Sequence, residues 1–213
     1  MHLKGGLHIH TTCSDGELTI REVVGVYERL GFDFIALTDH DFLMRPDCYA
    51  DLAEIKTDMI LFAGVEKTVF EKGYLHINHI CGDREELHIF NHPSELDLPF
   101  DKVRDRILKV SQTLPLDAVE ITSKGFRCPE YEVASIPFPK IATDDSHTRL
   151  GCGRAWIEMD APRDRDSILR TVKAGDFWNC YVRNKEIFPG KSIPDPGQAK
   201  SKSMKKAVKK SDT

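Results

Sequence analysis

Met59-Ile60-Leu61-Phe62-Ala63-Gly64-Val65-Glu66 is a continuous apolar run that stops at a carboxylate. Phe34-Ile35-Ala36-Leu37-Thr38-Asp39-His40 repeats the arrangement, with apolar residues first and groups able to carry charge or bind an ion at the end. Short runs without polar alternation read as strands buried on both faces, the pattern of a largely parallel sheet. Working outward, similar runs predict strands over residues 6–10, 74–81, 87–91, 118–122, 140–143 and 154–158. Helical patterns fall between them. The clearest spans 19–30, where Thr19 and Glu22 stand at capping-box spacing, Val23, Val24, Tyr27 and Leu30 share a face, and Gly31 ends the helix. Two more cover 101–112 and 164–174. Strands alternating with helices give the fold class α/β.

In such folds the loops after the strands form the active site. Nine side chains of metal-ligand type lie mostly at those positions: His8, His10, Asp15, His40, Glu66, His79, His92, Asp145 and His147. His8 and His10, two apart on an extended segment, point the same way and can converge on one ion, and Asp145 and His147 repeat that spacing. Singly, each has a bland reading: His-x-His as surface alternation, His92-Pro93 as a turn, Asp39 as a loop former. Their coincidence at strand ends carries the argument. Imidazole nitrogen and carboxylate oxygen suit zinc, manganese or iron, and nine donors exceed what one ion accepts, so two or three ions are expected. His76 competes with His79, because on a strand two residues three apart face opposite ways. His2 and His88 read as structural or surface residues.

The 213 residues, 40% hydrophobic, suffice for one domain with a real core. No stretch approaches a membrane span, and Met1 to Gly6 lacks a signal-peptide core, so a cytoplasmic, membrane-free protein is expected. The six cysteines include no Cys-x-x-Cys pair and are expected to be reduced, mostly packed thiols. Residues 200–213 carry six lysines against Asp212, a balance of +5 within a net −4, leaving −9 on the rest. A domain over 1–188 is therefore expected, then a Pro/Gly linker and Lys-rich, disordered tail over 189–213 that is either a solubilising extension or a contact to nucleic acid. The oligomeric state is not encoded in any feature of the sequence.

The chain resembles the PHP family, named for polymerase and histidinol phosphatase. The resemblance rests on His8-Ile9-His10-Thr11-Thr12-Cys13-Ser14-Asp15-Gly16, Leu37-Thr38-Asp39-His40-Asp41, Gly64-Val65-Glu66, His79-Ile80-Cys81-Gly82, Asn91-His92-Pro93 and Asp145-Ser146-His147. It implies a distorted (β/α)7 barrel. It also implies one ion among His8, His10, Glu66 and Asp145, a second shared by Glu66 with His79 and His92, and a third on Asp15, His40 and His147. With only twelve residues between His79 and His92, the helical insertion of longer members is missing and a more open pocket is expected.

The expected function is a metal-dependent phosphoesterase, in which metal-activated hydroxide attacks a small phosphomonoester, a nucleotide or an oligonucleotide end. Asp15, His40 and His147 are its expected catalytic residues, with His40 or His147 assisting the leaving alkoxide. Lys67 and Arg149 lead the candidate phosphate clamps, although Lys67 could equally just neutralise nearby carboxylates. Ser14 and Ser146 read as shaping turns or bonding ligands. The alternatives are a metallohydrolase of a non-phosphate substrate, or a non-catalytic metal-stabilised module that binds nucleic acid or protein.

Overall fold

The computed structural model describes residues 1–50, 52–182 and 187–189. Apart from Pro189, the expected linker and Lys-rich tail lie outside the described residues. The strands are β1 (His2–Gly6), β2 (Phe34–Leu37), β3 (Ile60–Phe70), β4 (Tyr74–Cys81), β5 (Glu86–Phe90), β6 (Ala118–Glu120), β7 (Thr122–Ser123), β8 (Phe126–Arg127), β9 (Lys140–Ile141), β10 (Ala155–Asp160), β11 (Trp178–Tyr181) and β12 (Ile187–Pro189). β7 and β8 form a small separate hairpin, and the others make one sheet in the order β12-β11-β10-β1-β2-β3-β4-β5-β6-β9. The pairings send β1, β2, β3, β5, β6, β9 and β11 in one direction, with β4, β10 and β12 reversed.

The sheet curls into a nearly closed barrel. Beyond β1, Ile9 bridges Ser146, which lies beyond β9. On the other side of β9 the Asn179 side chain of β11 donates to Lys140 O and accepts from Ala142 N, an amide standing in for a missing strand pair. The expected α/β barrel is the observed architecture. Its first strand was expected over 6–10 but lies at His2–Gly6, because pairing with distant β10, His2 opposite Asp160, sets its register. β11 was missed for the same reason, since its partner is β10.

Neighbouring residues of one strand enter different cores. Phe34, Ala36 and Phe62 point into the barrel with Leu3, Ile80, Leu87 and Ile89, whereas Ile35, Leu37 and Leu61 lie under α1 (Ile20–Arg29). The α1 capping box forms as expected, Thr19 and Glu22 bonding each other's backbone amides. α2 (Phe100–Val110) covers Ile77, Phe90 and Val119 on the outside. α3 (Arg165–Ala174) brings Ile168, Leu169 and Val172 to the barrel-interior core and ends at Gly175 in the left-handed region, φ 70°. Among the described residues no helix is long and apolar enough to cross a membrane.

Candidate metal centre

Seven parallel strands aim their carboxyl ends at one mouth, and the candidate ligands gather there. His8 and His10 follow β1, Asp15 lies in the next turn, His40 follows β2, Glu66 is on β3, His92 follows β5, and Asp145 and His147 follow β9. His8, His10 and Glu66 are almost wholly buried, while Asp15, with its side chain 41% exposed, marks the rim. Glu66 sits at the centre, and its two oxygens face different partners. Oε1 lies 3.2 Å from His76 Nδ1 and 3.1 Å from His92 Nε2, whereas Oε2 lies 3.4 Å from His8 Nε2, 3.2 Å from His10 Nε2 and 3.1 Å from His40 Nδ1. Asp145 Oδ1 stands 3.3 Å from both His8 Nε2 and His10 Nε2. On the rim, Asp15 lies 3.5 Å from His10 and His147 and 3.7 Å from His40.

Two expectations are corrected by strand parity. Glu66 pairs with Asn78, so the side chains of Asn78 and of His76, two residues away, share its inward face. His79 pairs with Val65 and points outward, its Nε2 3.1 Å from Glu86. β4 also runs antiparallel to β3, so its beginning, not its end, reaches the mouth. His76 therefore occupies the place expected of His79. Lys67 follows Glu66 on the same strand and turns to the outer face, where its charge acts on His79 and Cys81 rather than toward the cluster. Arg149 is exposed two residues beyond His147, its amide donating to Glu17.

Several supporting residues escaped the sequence reading. Glu120 ends β6 fully buried, accepting from His92 N at 2.6 Å, lying 3.0 Å from His8 Nδ1 and accepting from the Thr143 hydroxyl. It fixes which nitrogen His8 turns to the cluster. Its signal was a carboxylate ending an apolar strand, the same signal that marked Glu66. Asn91 donates to Glu66 Oε1 at 2.7 Å and to Asn78, which donates in turn to Leu7 O. Asp39 is a loop former: it accepts from Thr11 N and Oγ1, Ser14 N and Oγ, and Tyr49 OH. That knot ties the loops after β1 and β2 together, and there Cys13 and Cys48 form a disulfide, Cα–Cα 5.7 Å, correcting the expectation that all six thiols are reduced. The two lie 35 residues apart with no local motif to announce them. The Ser146 hydroxyl lies 2.8 Å from Tyr27 OH, which donates to buried Asp144, rather than on a candidate ligand.

Two of the candidate ligands sit on unusual backbone. His92 and Asp145 both hold positive φ, 24° and 43°, conformations that non-glycine residues keep only where the surroundings enforce them. Gly16 lets the loop pass over His10, since a Cβ there would stand 2.7 Å from the His10 backbone.

A PHP domain model matches residues 6–119. The chain belongs to the PHP domain family. The matched span carries His8 through His92, and Asp145 and His147 lie beyond it. A 43-residue stretch is 40% identical to the DNA polymerase/3'-5' exonuclease PolX of Bacillus subtilis, covering 20% of this chain and 8% of that protein. A two-domain protein from Bacteroides vulgatus containing a predicted PHP-like metal-dependent phosphoesterase superposes with a TM-score of 0.65 at 18% identity, over 85% of this chain and 65% of that one. PsfC from Pseudomonas syringae gives 0.60 at 10% identity over 97% and 98% of the two chains. An amidohydrolase from Chromobacterium violaceum, with sulfate bound and no metal, gives 0.59 at 16% over 80% and 96%. These three likenesses are of fold. This chain spans about two thirds of the Bacteroides protein and a small part of PolX.

Within this PHP domain the charges are stacked against burial. Burial favours the neutral acids of Glu66 and Asp145, yet the neighbouring imidazoles, His8 foremost, hold both far below the usual carboxylate range. Burial also works against the His10 imidazolium, but the carboxylates of Asp145, Asp15 and Glu66 outweigh it and lift the pKa to about 10. At the rim burial prevails, lowering His40 and His147. Asp144 has no such cationic neighbour in contact, and burial pushes it up to about 7. His10 Nδ1, His40 Nδ1, His76 Nδ1, Glu66 Oε2 and Asp145 Oδ1 are buried without a hydrogen bond. Each such atom costs roughly 1–3 kcal/mol unless something else satisfies it.

Those orphaned atoms fit metal ions. Four overlapping sets each offer donors within 4.8 Å of one another: His10, Asp15, His40 and His147; His8, His10 and Glu66; His8, His92 and Asp145; and His40, Glu66 and His76. The sets share members across one pocket, and their nitrogen and oxygen donors suit borderline divalent ions.

Proposed function

We propose that this PHP domain is a metal-dependent phosphoesterase acting on a phosphomonoester, either a small molecule, a nucleotide or an oligonucleotide end. The observation that carries the reading is Glu66, a buried carboxylate whose two oxygens face separate groups of imidazoles, as a carboxylate shared between two ions must. His8, His10, Asp15, His40, Glu66, His76, His92, Asp145 and His147 would hold two or three ions of the zinc, manganese or iron class. Bound there, the ions would supply Lewis acidity toward water and toward phosphate oxygens.

This chain's own residues do the rest. Glu120 and Asn91 lock His8, His92 and Glu66 in place, so little reorganisation accompanies the reaction. The rim of Asp15, His40 and His147, where Asp15 and His147 are partly exposed, is where a phosphate would enter, and burial there favours the neutral, ligating imidazoles of His40 and His147. Arg149, beyond His147, is the cation we assign to a peripheral phosphate oxygen. The local likeness to a DNA polymerase/exonuclease supports including nucleic-acid ends among the substrates. Nucleic acid would then also be a natural partner for the lysines of 200–213.

Phosphate release from a panel of phosphomonoesters, nucleotides and 5'-phosphorylated oligonucleotides, with manganese or zinc added, tests the reading. Turnover that disappears in Asp145→Ala and His10→Ala supports it and ranks the substrates. A folded protein that binds two or three ions and releases phosphate from none of them would move the assignment to a non-phosphate substrate or to a non-catalytic module.

A further inference from the structure

Outside the barrel, β4 and β5 carry a second group of ligand-type side chains that the centre above does not use. Their register sets His79 opposite His88 and Cys81 opposite Glu86, so all four project from one outer face. Ile77 and Phe90, further along the same face, are covered by α2, but Cys81 and Glu86 are exposed. His79 Nε2 lies 3.1 Å from Glu86 Oε2 and 3.8 Å from Cys81 Sγ, and all three donors fall within 4.8 Å of one another. A tetrahedral zinc, about 2.0 Å from nitrogen or oxygen and about 2.3 Å from sulfur, holds N and O donors about 3.3 Å apart and N and S about 3.5 Å apart. The apo spacing already approximates that.

We propose that His79, Cys81 and Glu86 form a separate metal site, for one zinc-class ion with a fourth position open to solvent. One thiolate, one imidazole and one carboxylate select zinc or cobalt over magnesium and calcium, which prefer oxygen alone. His88 holds the geometry rather than ligating: its ring stacks on His79 at 4.5 Å and 8°, and its Nδ1 lies 3.5 Å from Asp117. Metal entry takes the Cys81 proton, which passes to solvent, while the His79 imidazole, lowered by burial and by Lys67, is already in its ligating form. The ion would tie β4 to β5 on the face that α2 leaves bare.

Cobalt titration of the metal-free full chain under argon tests this apart from any activity. The inner centre offers cobalt no thiolate, so a sulfur-to-cobalt charge-transfer band reports the outer site alone. It is expected to saturate at one ion per chain, to persist in Asp145→Ala, to bleach on adding zinc, and to vanish in Cys81→Ser with loss of one bound equivalent. Alkylation of the unmutated chain gives a second reading: zinc should protect Cys81 while leaving Cys128 labelling unchanged, scored by peptide mass. Absence of the band in the unmutated chain, its survival in Cys81→Ser, or equal Cys81 labelling with and without zinc overturns the proposal.

Discussion

His76 and His79 stand three residues apart on one strand and live in different chemical environments. Inside the barrel, β4 grades from Ile80 in the apolar core through Asn78 to His76 at the mouth, where Glu66 waits 3.2 Å away. Outside, the same strand grades from Ile77 under α2 to His79 beside Glu86. The inner position is crowded with charge and leaves its Nδ1 without a hydrogen bond, whereas the outer one is locally paired, and the two side chains are similarly exposed, 25% and 18%. Parity alone decides which histidine can serve which site, and substitutions separate the two faces.

The sharpest break is at Glu66. Glu66→Gln keeps the shape and the Asn91 contact but removes the charge that both groups of imidazoles face. Phosphoesterase turnover is expected to fall on the order of 10³-fold, at the upper end for deleting one group that stabilises developing charge. Bound metal per chain, measured by mass spectrometry, should fall with it; full loading and full turnover in the variant would remove Glu66 from the centre.

Next in size is the comparison itself. His76→Ala is expected to cost about 10²-fold in turnover, whereas His79→Ala, on the outer face, should stay within about a factor of two, the range of surface substitutions. Steady-state rates of the two variants decide between them. The reverse ranking would restore His79 to the centre.

Much of this was legible in the sequence, and the failures share a cause. The apolar runs over 34–38 and 59–65 and the α1 capping box announced themselves because their signals are local: a few residues decide burial, cap or turn. Eight of the nine proposed centre residues were already candidates in the sequence, because strand ends concentrate function in parallel folds. The ninth, His76, needed strand direction, and direction is set by the β3–β4 pairing rather than by the β4 residues themselves. Lys67 failed with it, since adjacency in sequence is opposition in a strand. The Cys13–Cys48 bond, β11 and Asn179 all depend on partners far along the chain, which a local pattern does not carry.

Glu120 extends the comparison to residues that touch no ion. It orients His8 and His92 from below, so Glu120→Gln should weaken metal binding by roughly 10–100-fold, the usual effect of losing a carboxylate behind a ligating histidine. Competition against a chelator measures it, and the outer site provides the internal control, because its cobalt–thiolate band should not move. An unchanged inner affinity would reduce Glu120 to a structural acid.

The smallest expected effect tests the barrel wall. Lys140 on β9 is almost fully buried, its ammonium donating to Ile136 O and Phe138 O, and burial lowers its pKa from 10.5 to about 8. The unfolded chain therefore holds its proton more tightly than the folded one. Between about pH 8 and the unfolded value the unfolded state binds more protons, so stability rises with pH through that window, and below it the full cost of burying the charge is present. Lys140→Met removes the titration. From about pH 7 to about pH 9.5, the stability of the unmutated chain relative to the variant is expected to rise by roughly 1–2 kcal/mol, read from urea unfolding midpoints and slopes. Because every other titrating group is common to both proteins, a flat difference across that range would mean that the ammonium is hydrated through the wall. β9 would then be an open edge of the barrel rather than the strand that Asn179 seals.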